Sequence, residues 1–261
     1  MIRFGPAGMG NIREAASTFK RYNEMGIKAC EIPFTYGVYI KEDRHKKEIG
    51  QIRDAAKKFD IKLSIHAPYW INLNSKEKKK IEESKKRILD CCKIGELLGA
   101  YLVVFHPGYY GKDSKEETYE NIKKAVTEIR NEIKKHKWKI NVAAETTGKV
   151  NVFGSITEIL ELVEETGCYF TIDFAHLLAR SNGAMHYKEM YEQVKHFDRL
   201  HCHFSGIVYA SKGERSHKIT PESELKKLLE ILPRNKDIVI INESPAPVED
   251  SVKATRIWEK L

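Results

Sequence analysis

His66, His106, Glu145, Asp173, His176, His201 and Glu243 are the residues of this chain that could do chemistry together, because each lies at or just after the end of a β-rich run. They sit in Ser64-Ile65-His66-Ala67-Pro68, Val104-Phe105-His106-Pro107-Gly108, Ala143-Ala144-Glu145-Thr146, Ile172-Asp173-Phe174-Ala175-His176, Leu200-His201-Cys202-His203 and Ile241-Asn242-Glu243-Ser244. One such His is usually a satisfied hydrogen-bonding residue, and one such Glu usually pairs with an Arg. Their recurrence run after run is a different pattern. Several carboxylates drawn into one pocket need cations to offset their repulsion and desolvation. Lys and Arg are almost absent from these run ends, which leaves metal ions as the counter-charge. Mixed imidazole and carboxylate donors suit Zn²⁺, with Mn²⁺ or Fe²⁺ next, better than Mg²⁺ or Ca²⁺. The donors outnumber the four of one tetrahedral zinc site, so about two or three ions with a bridging carboxylate are expected. Closely spaced ions are a device for activating water and stabilising the leaving oxygen of a phosphoester.

Such a cluster needs a scaffold that brings run ends to one place. Strand candidates are Ile2–Phe4, Ala29–Ile32, Leu63–His66, Tyr101–His106, Ile140–Glu145, Cys168–Asp173, Leu200–Phe204 and Ile238–Asn242. Helical patterns separate them: Ile12–Met25, Lys46–Phe59, Glu77–Leu98, Lys115–His136, Ile156–Glu165, Tyr187–His196, Glu222–Ile231 and Val252–Lys260. Within Glu77–Leu98, Ile81, Ile88, Leu89, Cys92 and Leu97 recur at helical spacing. Eight strand–helix units in 261 residues predict a (β/α)8 TIM barrel, a single α/β domain whose strand ends converge on one mouth. Gly5-Pro6-Ala7-Gly8-Met9-Gly10 does not match a dinucleotide fingerprint and reads as a tight turn.

With 31% charged and 41% hydrophobic residues and no long apolar run, the chain reads as a globular protein without a membrane span. Cys30, Cys91, Cys92, Cys168 and Cys202 are odd in number and form no C-x-x-C pair. They read as reduced, mostly buried thiols, and with no apolar leader at the start the expected location is cytoplasmic. The net charge of +8 understates the basicity of the outer surface if the acids above face inward, and favours polyanionic partners.

These residues resemble endonuclease IV, the zinc-dependent apurinic/apyrimidinic endonuclease family within the wider xylose-isomerase-like barrels. The resemblance runs along nearly the whole chain. Its most specific pieces are His66-x-x-Tyr69-Trp70-Ile71-Asn72-Leu73, His106-Pro107-Gly108, Glu145-Thr146, Asp173-x-x-His176 and Glu243-x-Pro245. It implies that His66, His106 and Glu145 hold one ion, with Glu145 bridging to a second held by Asp173, His201 and Glu243. His176 would begin a third site, completed by an acid and a histidine after the seventh strand. Where the family has Asp-Arg-His, this chain reads Gly213-Glu214-Arg215-Ser216-His217, so Glu214 and His217 are the expected pair, with His203 a further candidate. The activity implied is hydrolysis 5′ to an abasic site in double-stranded DNA by a monomeric enzyme, with Glu145 as catalytic residue. Tyr69 and Trp70 would contact DNA at the flipped nucleotide. Trp70 could equally anchor its loop in the core, and the sequence leaves both readings open. The second loop, Phe34-Thr35-Tyr36-Gly37-Val38-Tyr39, offers tyrosines in place of a basic residue. The rival reading is a one-metal sugar isomerase or 3-epimerase built on Glu145, Asp173, His201 and Glu243. That chemistry has no use for His66, His106 or His217 as ligands.

Overall fold

The computed structural model describes residues 1–261. Eight parallel strands form one sheet: β1 (Ile2–Pro6), β2 (Ala29–Pro33), β3 (Lys62–His66), β4 (Leu102–Phe105), β5 (Asn141–Glu145), β6 (Tyr169–Asp173), β7 (Arg199–Phe204) and, after a two-stranded insertion, β10 (Asp237–Asn242). The sheet order is β1-β10-β7-β6-β5-β4-β3-β2. It closes where β1 meets β2, through Lys28 N–H to Phe4 C=O (3.0 Å) and Gly8 N–H to Glu31 C=O (2.8 Å). A Cβ on Gly5 would lie 1.9 Å from the Ala29 carbonyl oxygen, so only glycine lets the seam shut. The chain is thus a (β/α)8 TIM barrel.

The helices are α1 (Ala15–Glu24), α2 (Lys46–Phe59), α3 (Lys78–Leu98), α4 (Lys115–Lys135), α5 (Ile156–Thr166), α6 (Phe174–Arg180), α7 (Tyr187–Val194), α8 (Glu222–Leu229) and α9 (Pro247–Lys260). Their ends follow local chemistry. Ser114 and Ser155 cap α4 and α5, the latter in a reciprocal capping box with Glu158. Gly99 and Gly167 end α3 and α5 in the left-handed conformation. Pro247 opens α9 five residues before the expected start, where a missing N–H costs nothing. Two elements were not expected: α6, and a hairpin of β8 (Gly206–Ala210) and β9 (Gly213–Lys218) between β7 and α8.

Side chains on alternate strand positions divide two spaces. Outward residues such as Cys30, Ile32, Leu63, Ile65, Val103 and Phe105 pack against the helices in the main core. All five cysteines are buried and unpaired. Inside the barrel are apolar groups around Ala29, Val239 and Ile241 and around Leu102, Val104 and Ala143. At the N-terminal end of the strands, Asp237 binds Arg3 (3.1 Å) and Lys62 (2.8 Å). At the other end the interior becomes polar. No helix is long and apolar enough to cross a membrane.

Candidate metal centre

Most of the expected donors are placed by the ends of barrel strands. His66 and Glu145 end β3 and β5, His106 follows β4, and Glu243 follows β10. Asp173 ends β6 and at once caps α6, its Oδ1 accepting from His176 N–H at 2.7 Å. The D-x-x-H spacing is therefore a helix cap: it fixes the carboxylate and sets the histidine in the first turn, beside it. Glu145 is the hub. Its Oε2 lies 3.1 Å from His66 Nε2 and 2.8 Å from His106 Nε2, and its Oε1 lies 3.0 Å from His203 Nδ1 and 3.4 Å from His176 Nδ1.

Several imidazoles spend one nitrogen on the scaffold and turn the other to the cluster. His66 Nδ1 donates to the Ala67 carbonyl at 2.9 Å and His176 Nδ1 to the Thr146 carbonyl at 3.0 Å. His217 Nδ1 meets Ser205 Oγ at 2.6 Å, leaving its Nε2 toward Glu214. Such outer hydrogen bonds fix tautomer and ring direction, as metal-ligating histidines require.

His201 corrects the expectation made for it. Its Nδ1 accepts from Tyr101 Oη at 2.5 Å and its Nε2 donates to Glu31 Oε2 at 3.1 Å, so both nitrogens are used by the protein. His203, two residues on and facing the same way, is the β7 imidazole that reaches the cluster, level with Asp173 in the β6–β7 register. Glu31, which sequence reasoning did not single out, is fully buried on β2 below these groups. Its only signal was an acid alone in the apolar strand Ala29-Cys30-Glu31-Ile32-Pro33.

Donor atoms converge within 4.8 Å in four overlapping groups: His66–His106–Glu145, Glu145–Asp173–His203–Glu243, His176–His217–Glu243 and Glu31–His66–His203–Glu243. They fit a cation by chemistry and by what is left unpaired. The ion-pair partners of Glu31, Glu145, Asp173 and Glu243 are all histidines, with no Lys or Arg among them, and the buried Asp173 Oδ2 has no hydrogen-bond partner. Charge within the cluster is balanced by imidazoles. Burial pushes the Glu145 carboxyl up, but His203 and His106 outweigh it and hold it well below the usual range. Burial likewise opposes charge on His66, yet the hydrogen bond to Glu145 lifts its pKa to about 9. Glu243 is held at about 2, burial being outweighed by His203. On Asp173 burial prevails and raises the pKa, and on His201 burial prevails and lowers it, matching its neutral hydrogen-bonding pattern. Cations entering the site would replace these protons.

The hairpin supplies the outer donors. β9 carries Glu214 and His217, and Glu214 N–H donates to the Gly148 carbonyl at 2.9 Å. Gly213, at φ 94°, packs so tightly that a Cβ would lie 2.1 Å from that carbonyl oxygen. Glu214 comes 3.6 Å from His176 Nε2 and 3.7 Å from His217 Nε2, beside the His176–His217–Glu243 group rather than within it.

The cluster floors a mouth cavity of about 250 Å³, whose wall includes Tyr69, Tyr109, Lys149 and Val152. Tyr69 and Trp70 are 51% and 60% exposed, so Trp70 is not a core anchor. Their rings meet edge to face at 6.2 Å. Tyr69 N–H donates to the Thr35 carbonyl at 3.1 Å, tying this loop to the one that exposes Tyr36.

Residues 19–260 match the model of a family described as xylose isomerase-like TIM barrel. An uncharacterized protein of Methanocaldococcus jannaschii is 36% identical over 280 aligned positions, covering 100% of this chain and 98% of the relative. A probable endonuclease 4 of Mycobacterium ulcerans is 25% identical, covering 78% of this chain and 79% of its own. Among solved structures, SacUVDE superposes with a TM-score of 0.75 at 15% identity, covering 99% and 98% of the two chains. Endonuclease IV from Thermus thermophilus (0.69, 19% identity, 99% and 98%) and a D-tagatose 3-epimerase-like protein (0.69, 20%, 99% and 96%) share the fold equally well.

Proposed function

This chain belongs to the xylose isomerase-like TIM barrel family, and within it we propose a metal-dependent phosphodiester hydrolase that nicks double-stranded DNA 5′ to an abasic site. The observation that carries the reading is the pair of outer groups, His66–His106–Glu145 and His176–His217–Glu243. The tetrad Glu145–Asp173–His203–Glu243 by itself would serve a one-ion sugar isomerase or 3-epimerase. Four further histidines around it, His66, His106, His176 and His217, fit two or three ions, zinc by donor type, with manganese or iron next. Such ions supply water activation and charge neutralisation at a phosphoester.

The chain's own residues would do the rest. Glu145, touching imidazoles of the inner and outer groups, would bridge ions and orient the attacking water. Lys149 on the cavity wall would meet a phosphate. Exposed Tyr69 and Trp70 would stack against bases next to the flipped nucleotide. The net charge of +8 suits a polyanion, and the mycobacterial relative is named a probable endonuclease 4.

Metal content by mass spectrometry, paired with cleavage of a duplex carrying one abasic analogue, tests the reading. Two or three ions per chain and chelator-sensitive nicking 5′ to the lesion are expected. One ion, no nicking and turnover of a ketose would replace it with the sugar-epimerase reading.

A further inference from the structure

We propose that Glu31 is a positioning residue that fixes the ring of His203, so that Nδ1 faces the metal centre and Nε2 faces the barrel interior. The inference rests on the metal-centre reading above.

Glu31 lies on the inward face of β2, fully buried, one layer below the donors. One carboxylate oxygen is fully engaged: Oε2 accepts from Ser64 Oγ at 2.7 Å and from His201 Nε2 at 3.1 Å. His201 is in turn held by Tyr101 Oη. The carboxylate is thereby fixed from below, with its second oxygen pointing up. That oxygen, Oε1, lies 3.0 Å from His203 Nε2. Both atoms are buried and neither has an aligned hydrogen-bond partner, each other included, so an unsatisfied acceptor faces an unsatisfied ring nitrogen at this short distance. The opposite nitrogen, Nδ1, lies 3.0 Å from Glu145 Oε1 and 3.5 Å from Glu243 Oε2.

An ion can bond Nδ1 only if that atom offers a lone pair, which requires the ring proton to sit on Nε2. A fixed acceptor beside Nε2 selects that tautomer, and a carboxylate in this place also makes the ligating nitrogen a stronger donor. Ser64, His201 and Tyr101 are thus the footing of the acceptor, and close polar contacts run from Tyr101, just before β4, to Glu145 at the mouth. This gives His201 a role that needs no ion on it.

The test reads zinc binding and the ring itself. Zinc affinity, measured by competition with a chromophoric chelator, should fall about 10- to 100-fold at one site in Glu31→Ala. Glu31→Gln, which keeps an acceptor oxygen, should recover part of the loss. Nitrogen NMR of the zinc-loaded natural chain should place the His203 proton on Nε2. A folded Glu31→Ala chain that binds zinc within twofold of the parent, or a proton on His203 Nδ1, overturns the proposal; if Glu31→Ala does not fold, the NMR measurement decides alone. Weakened zinc binding in a protein whose natural form never nicks DNA would keep the role of Glu31 and discard the nuclease. Nicking by the natural form with zinc binding unchanged in Glu31→Ala would do the reverse.

Discussion

His201 and His203 stand two residues apart on one strand and point to the same side, yet only His203 faces the cluster, with its Nδ1 3.0 Å from Glu145. His201 is held one layer lower by Tyr101 and Glu31. A strand advances roughly 6.6 Å over two residues, which separates a donor at the mouth from a residue that supports it.

Glu145 joins the groups, so Glu145→Gln should cut abasic-site nicking by more than about 100-fold, beyond the range typical of an outer partner of a metal ligand. Circular dichroism should show the barrel intact. A variant retaining a tenth of the activity would remove Glu145 from the centre of the mechanism.

The outer donors depend on a glycine contact. A Cβ on Gly148 would lie 2.7 Å from Glu214 Cβ, 2.8 Å from Glu214 Oε2 and 3.1 Å from His176 Cδ2. Gly148→Ala should therefore push the hairpin away and lower the bound ions by one per chain, leaving the inner group loaded. Unchanged stoichiometry would show that the hairpin holds no ion.

Trp70→Ala should leave stability within about 0.5 kcal/mol, since the ring is 60% exposed. Affinity for abasic duplex should fall by about tenfold or more, the scale of one lost base–aromatic stack. Equal affinity of variant and parent would exclude the stacking role.

Chelation should change how stability depends on pH. In the metal-free chain the folded pKa of His66 is raised to about 9, first against burial and then by Glu145, from an ordinary value near 6.5. A raised folded pKa contributes stability that is fully present below about 6.5 and lost as pH rises through about 9. The metal-free melting temperature should fall across that window. The loaded protein, whose ligands are already deprotonated, should fall less and melt higher throughout. Parallel curves with and without chelator would contradict the assignment of His66 as a ligand.

The seam offers a test of the fold. Gly5→Ala would place a methyl 1.9 Å from the Ala29 carbonyl oxygen, and the barrel should lose about 3 kcal/mol or more in urea unfolding. A loss under about 1 kcal/mol would mean that β1 and β2 can separate without harm.

The sequence by itself determined the architecture and the neighbourhood of the site. Period-2 and helical patterning are local, so all eight barrel strands were legible to within two residues at each end, and so were the ligand-type residues at their ends. Three things belonged to the tertiary structure. Which β7 histidine faces the cluster depends on register against β6 and β10, set by partners far along the chain. Glu31 acquires meaning only once β2 lies across the barrel from β7, because an isolated acid in a strand carries no local sign of its partners. The hairpin after β7 docks through Gly148 and Gly213, a contact between loops whose closeness no periodicity encodes. Alternation tells which residues point inward; only the closed barrel decides at what height they meet and which nitrogen each histidine has left to give.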